Sequence, residues 1–282
     1  MLTLTSHSLP KELKRIGGVP DRLYVEGDLS PLMDRPRLAV IGSRKPTAYG
    51  RAVTIKLVQE LVREGVVIIS GLALGIDSIA HRACLDAGGQ TIAVLPAGLD
   101  KIYPSSHANL ASDIVRHGGA LVTEYPANTT PYAVNFLARN RLISGLAEGV
   151  LVTEAAQRSG SLNTVNHALE QNRVVLTVPG NITSLNSTGC NNLLRMGAVP
   201  VTRTDDIFDG LGWTREGGQE QIVKAANPEE FAILSLIQKG ISDGGELLED
   251  SQLKAAVFSQ TLTMLEITGR IKPLGGNQWA IA

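Results

Sequence analysis

A chain of 282 residues with 43% hydrophobic content and 29 glycines has room for one large α/β domain and a small second one. Its net charge of −1 supplies no global field to draw it onto nucleic acid, so any basic site must be local. Cys84 and Cys190 lie far apart with no partner motif, which argues against a disulfide framework or a zinc site, and no apolar run approaches the roughly 20 residues of a bilayer span.

At the N-terminus the basic-then-apolar order of a signal peptide is missing, so a cytoplasmic protein is expected. Residues 1–36 read as a lead-in broken by Gly17-Gly18 and by Pro10, Pro20, Pro31 and Pro36. Short apolar, β-branched runs then recur at 38–41, 66–69, 91–95, 120–123, 149–152, 174–178 and 198–201. Helical patterns fall between them at 48–63, 74–87, 105–117, 131–146, 161–171 and 188–196. This alternation predicts βαβ units, and so an α/β domain over 37–209 with a parallel sheet. Right-handed crossovers place helices on both of its faces, the doubly wound arrangement.

Glycine and charge mark 210–227 as a linker. Beyond it, Pro228 suits the first turn of a helix reaching about Lys239, with Phe231, Leu234 and Ile237 on one face. A short helix holding Leu247 and Leu248, a third over about 254–268, and a ribbon hinged at Gly275-Gly276 complete a winged-helix module over 228–282. That module carries four basic residues against seven acidic ones, and its candidate recognition helix offers only Lys254. A helix entering the major groove needs cations near phosphates, so this module is expected to meet protein rather than duplex DNA.

Candidate binding residues gather at the predicted strand ends. Gly42-Ser43-Arg44 follows the first strand; it fits either an ordinary turn or a guanidinium set beside the amides of the next helix, ready to fork onto a phosphate. The chain has neither G-x-x-x-x-G-K-[ST] nor G-x-G-x-x-G, which disfavours P-loop chemistry and the dinucleotide fingerprint. In the segment from Ser70-Gly71 through Gly75 to Asp77, with His81 following, Asp77 and His81 share a helix face. They suit an acid–base pair or a brace for the glycine loop, and with no serine or cysteine nucleophile at a matching spacing the brace is preferred. Ser70 and the loop amides would then do the binding.

Phe136, Arg139 and Asn140 share a helix face, while Arg141 points nearly opposite. One of the two arginines is therefore expected to pair with an internal carboxylate, and Phe136 fits either core packing or a base-stacking surface. Arg158-Ser159-Gly160 opens another helix, where small hydroxyl residues and glycine make an anion seat. Pro179-Gly180-Asn181 and Gly189-Cys190-Asn191 end two later units, where turn chemistry is an equal reading. Several such corners on one sheet edge predict an extended groove for a polyanion.

Taken in order, Ile41-Gly42-Ser43-Arg44, Ser70-Gly71 through Asp77 with His81, Tyr103-Pro104, Phe136-x-x-Arg139-Asn140-Arg141, Arg158-Ser159-Gly160, Val178-Pro179-Gly180 and Gly189-x-Asn191 resemble the DNA-processing protein A family (DprA, or Smf) over about 20–205. The C-terminal segment ending Leu262-x-x-Leu265-Glu266-x-x-Gly269-x-Ile271 resembles the winged helix many members carry. The resemblance implies an extended Rossmann-like domain that binds single-stranded DNA as a homodimer and brings RecA recombinase onto strands taken up in natural transformation, with no enzymatic role, cofactor or metal. On matching positions it assigns Gly42, Ser43, Arg44, Ser70, Gly71, Phe136, Arg139, Asn140 and Arg141 to the DNA groove, with Arg158, Ser159, Gly160 and Asn191 as further candidates. Leu137, Asn163 and Asn166 depart from the family pattern, and the extra N-terminal helical domain of longer members is not matched. The competing reading is a nucleoside-monophosphate phosphoribohydrolase of the lysine-decarboxylase-like superfamily. Its P-G-G-x-G-T-x-x-E helix start carries a glutamate for which the segment from Arg158 to His167 has no counterpart.

Overall fold

The computed structural model describes residues 2–214, 225, 227–238 and 240–281. Residues 1–36 do more than lead in, because β1 (Leu2–Thr5) and β2 (Arg22–Gly27) pair antiparallel as one edge of the main sheet. Leu23 and Val25 alternate into the core, and the glycines and prolines punctuate the turns around these short strands rather than abolishing them. The strands that follow are β3 (Arg37–Gly42), β4 (Val67–Ser70), β5 (Thr91–Val94), β6 (Ala120–Thr123), β7 (Gly149–Glu154), β8 (Val174–Thr177) and β9 (Val199–Pro200). All seven run parallel, and β2 joins β6 antiparallel.

Among the described residues the sheet has nine strands in the order β1-β2-β6-β5-β4-β3-β7-β8-β9. The chain thus builds outward from β3 to β6, then returns to lay β7 against the other side of β3. At that reversal the connections after β3 and β7 leave toward opposite faces, and a crevice opens beyond the carboxyl ends of the two strands.

Helices cover both faces. After the short turn α1 (Ser30–Met33), α2 (Ala48–Arg63), α3 (Ile76–Asp86) and α4 (Ala108–Arg116) lie on one side of the sheet; α5 (Ala133–Leu146), α6 (Ser161–Glu170) and α7 (Thr188–Arg195) lie on the other. Alternate residues of β3 show why: Leu38 and Val40 pack with Leu57, Val58 and Leu61 of α2, whereas Ala39 and Ile41 pack with Leu142, Ile143 and Leu146 of α5. A further helix, α8 (Thr204–Leu211), was not expected. Its start is fixed by Asp206, whose carboxylate accepts from the backbone N–H of Thr202 at 2.7 Å and of Arg203 at 3.1 Å.

The chain forms two compact units, Met1–Glu216 and Gly217–Ala282. The expected linker at 210–227 is helical at its first two residues, within α8, and its positions 215–224 and 226 lie outside the described residues. The second unit comprises α9 (Pro228–Gln238), α10 (Gly244–Ser251), α11 (Ala255–Ile267) and the antiparallel pair β10 (Ile271–Gly275) and β11 (Gln278–Ile281). Leu234, Ile237, Leu247, Phe258, Leu262 and Leu265 form its core. Phe231, expected to share their face, is instead 45% exposed, and Ile233 takes the inward position.

Candidate nucleic-acid interface

The crevice between the ends of β3 and β7 is a real cavity of 460 Å³. Ser43, Arg44 and Lys45 line it from the loop after β3, Phe136 and Asn140 from α5, and Ser159, Gly160 and Ser161 from the start of α6. Residues 44 and 136 therefore meet on one rim. The Arg44 guanidinium lies 5.6 Å from the centroid of the Phe136 ring, and Tyr103 packs edge-on to the same ring at 5.4 Å. Arg44 is exposed, and among the described residues its side chain makes no hydrogen bond or ion pair. A cation held against an aromatic face, without a carboxylate partner, is free to take a phosphate while the ring offers a stacking surface.

The loop that carries Arg44 is set from beneath. Ser43 receives support on both sides: its N–H donates to the Glu154 carbonyl at 2.7 Å, and its carbonyl accepts from Ile76 N–H at 3.0 Å. The second bond requires a very close approach of the β4–α3 turn. Gly75 permits it, with φ of +83° and with Ser43 and Arg44 backbone where a Cβ would stand.

The amides at the start of α2 are not the phosphate seat expected beside Arg44. The Glu154 carboxylate occupies that position, accepting from Thr47 N–H at 3.1 and 3.2 Å and from the Thr47 hydroxyl at 2.5 Å. A carboxylate of the chain itself thus already faces this helix end through the cap residue Thr47.

Several expected groove residues turn inward. Ser70 is fully buried and donates to the Val40 carbonyl at 2.7 Å, so its hydroxyl joins two strands instead of meeting ligand. The amides of Gly71 and Ala73 donate to Asp77 at 3.1 and 3.4 Å. Asp77 thus braces the glycine loop, as preferred from the sequence. His81 does not join it; Nδ1 lies 2.7 Å from the Thr91 hydroxyl, which itself donates to Ile68. Burial pushes the His81 imidazole down to about 3 and the Asp77 carboxyl up, the latter despite nearby Arg139.

Arg139 is 3% exposed and donates to the carbonyls of Gly71, at 2.7 Å, and Val94, and to Asn140 Oδ1 at 3.2 Å. Burial lowers its pKa to about 10, with Asp77 opposing and Arg44 reinforcing that fall. Its guanidinium fills the space where a Gly71 side chain would sit and lines the cavity from within the fold. Arg141 is the arginine that pairs with a carboxylate, Glu124, at 2.6 Å; it also donates to the Gly18 carbonyl at 2.9 Å. Both guanidinium groups of this motif are engaged by partners within the protein. The Asn140 amide bonds Asn163 at 3.1 Å.

Ser159 and Gly160 do line the cavity, with the Ser159 and Ser161 hydroxyls 2.7 Å apart. Arg158 is exposed but does not line it. Asn191 uses both ends of its amide on Gly180, at 3.1 Å each, and locks that turn. Gly42 lines the cavity as backbone only. Sequence reasoning passed over Lys45, although a second cation directly after Arg44 was a visible signal. The Glu154–Thr47 pair was not visible, because its members are 107 positions apart. Among the described residues no cluster of His, Cys, Asp and Glu could hold a metal ion, and no helix is long and apolar enough to cross a membrane.

Fold and cleft define a class: a doubly wound α/β domain with a cationic, aromatic cleft at its switch point, followed by a winged helix. Comparison with known proteins narrows this. Residues 1–212 match the DNA recombination-mediator protein A family and residues 220–277 the DprA winged helix domain, so the chain belongs to the DNA recombination-mediator protein A family. It is 45% identical to Protein Smf of Escherichia coli over 211 residues, 75% of this chain and 56% of that one, so it spans little more than half of that relative. It is 40% identical to DNA processing protein DprA of Bacillus subtilis over 74% of this chain and 70% of that one. The structure of DprA from Streptococcus pneumoniae superposes with a TM-score of 0.69 at 39% identity, covering 74% of this chain and 73% of that chain. DNA processing protein A from Helicobacter pylori, whose structure describes a single-stranded DNA binding mode, does so with 0.68 at 33%, covering 75% and 96%.

Proposed function

We propose that this protein binds single-stranded DNA along the carboxyl edge of its sheet, without catalysing a reaction, and so protects incoming strands and loads RecA recombinase onto them in natural transformation or recombination. It acts in the cytoplasm as a homodimer. The observation that carries this reading is the unpaired Arg44 guanidinium resting on Phe136 above an open cavity. Arg44 and Lys45 take phosphates, Ser159 and Ser161 add hydroxyl contacts, and Phe136 stacks a base. Single strands suit this arrangement because their unpaired bases can reach a ring set beside the cations. The single-stranded DNA binding mode of the Helicobacter pylori relative supports the choice of ligand.

The phosphoribohydrolase alternative is weaker because the glutamate its helix start requires has no counterpart near Ser161, while Glu154 is committed to Thr47. The test compares equal lengths of single strand and duplex in a gel shift, then RecA loading on strands coated with single-strand binding protein. Preference for single strand and accelerated loading are expected. Equal binding of duplex, or release of adenine from AMP, would overturn the proposal.

A further inference from the structure

In the winged-helix unit, α11 buries Phe258, Thr261, Leu262 and Leu265 on one side. The opposite side presents Ala256, Val257, Gln260, Thr263, Met264 and Ile267, all exposed, with Val257 at 37%, Met264 at 49% and Ile267 at 73%. At 100° per residue these positions form one continuous stripe that contains no charge. This is the helix that a winged-helix DNA reader inserts into the major groove. There it would place methionine and isoleucine against phosphates and forgo counterion release. Lys254, at its start, is the cation nearest to the stripe in sequence. The acids are more numerous: Glu246, Glu249 and Asp250 on α10 and Glu266 on α11 are exposed, while Arg270 is paired with Glu230 at 2.5 Å.

We propose that this stripe is a docking surface for a cationic amphipathic helix of another protein. Three apolar side chains, one a pliable methionine, supply the buried contact. The module, with seven acidic residues against four basic ones, supplies an attractive field for a partner whose apolar positions are flanked by lysine or arginine. The same field disfavours a second copy of the module, since two like-charged units would be brought face to face. None of this rests on the DNA cleft.

Selection from a random peptide display library against the full chain tests it. The expected winners carry apolar residues at i, i+3 or i+4, and i+7 with basic flanks. The selected peptide should shift the amide NMR signals of Val257, Met264 and Ile267 in the unaltered chain. Ile267→Glu and Met264→Glu should each weaken it by about tenfold or more, roughly 1.4 kcal/mol, with single-strand binding unchanged. The proposal is overturned if winners are acidic or uncharged, if they leave the α11 signals in place, if duplex DNA displaces them, or if the stripe proves to pair two copies of the chain, seen as a fall in sedimentation mass for Ile267→Glu.

Discussion

Glu154 closes the first turn of α2 by accepting both the hydroxyl and the N–H of Thr47, at 2.5 and 3.1 Å, so the carboxyl end of β7 is tied to the loop that carries Arg44. Removing that carboxylate with Glu154→Ala leaves the half-buried Thr47 donors without this partner and should cost about 1 kcal/mol. Urea unfolding measures the loss. Single-strand affinity should fall as well, because the 43–47 loop loses its anchor; full affinity in the folded variant would show that the clasp does not position Arg44.

Arg44 and Phe136 touch one another but should fail differently. Arg44→Ala removes a phosphate contact, so the slope of log affinity against log salt should shrink by about 0.7. Phe136→Ala removes a stacking surface, which should cost about 1–3 kcal/mol of binding at any salt concentration and leave the slope unchanged. Fluorescence anisotropy across a salt series separates the two.

Arg139 belongs to the fold rather than to the ligand. Arg139→Met should destabilise the protein by about 1–3 kcal/mol, because the buried carbonyls of Gly71 and Val94 lose their donor. The fraction that remains folded should keep the wild-type salt slope. A reduced slope without loss of stability would return Arg139 to the binding surface.

Stability should fall on acidification through His81. Its folded pKa of about 3 lies below the ordinary value of 6.5, so the unfolded chain binds the extra proton between those limits. Stability therefore rises with pH across that window, by up to about 1.4 kcal/mol per unit for the one proton. Asp77 acts in the opposite sense, since its raised folded pKa makes stability decline as pH climbs through its own range. Melts at pH 4, 5 and 6 (all inside the histidine window) should show a flatter profile for His81→Gln than for the wild type.

Much of the architecture was legible along the chain because each element carries a local signal. The run Val67–Ser70 is too short and too β-branched for a helix, and the helical pattern expected over 48–63 is the helix the fold forms, Ala48–Arg63. β1 and β2 escaped notice because so few residues of alternation among prolines give little signal, and only the pairing of β1 with β2 and of β2 with β6 makes them strands. The site was legible as a set of motifs but not as a division of labour. Arg44, Arg139 and Arg141 look alike in sequence, yet one is free, one is buried under carbonyls and one is paired with Glu124.

The sequence by itself determined the alternation of strands and helices, the glycine corners and the acidic, winged-helix C-terminus, since these depend on neighbours within a few residues. Which guanidinium faces solvent, which helix start is already filled by a carboxylate, and where the crevice opens were decided only when β7 came to lie beside β3. That pairing joins segments about a hundred residues apart, and hydrogen-bond partners at such separations leave no periodic trace in the chain that supplies them.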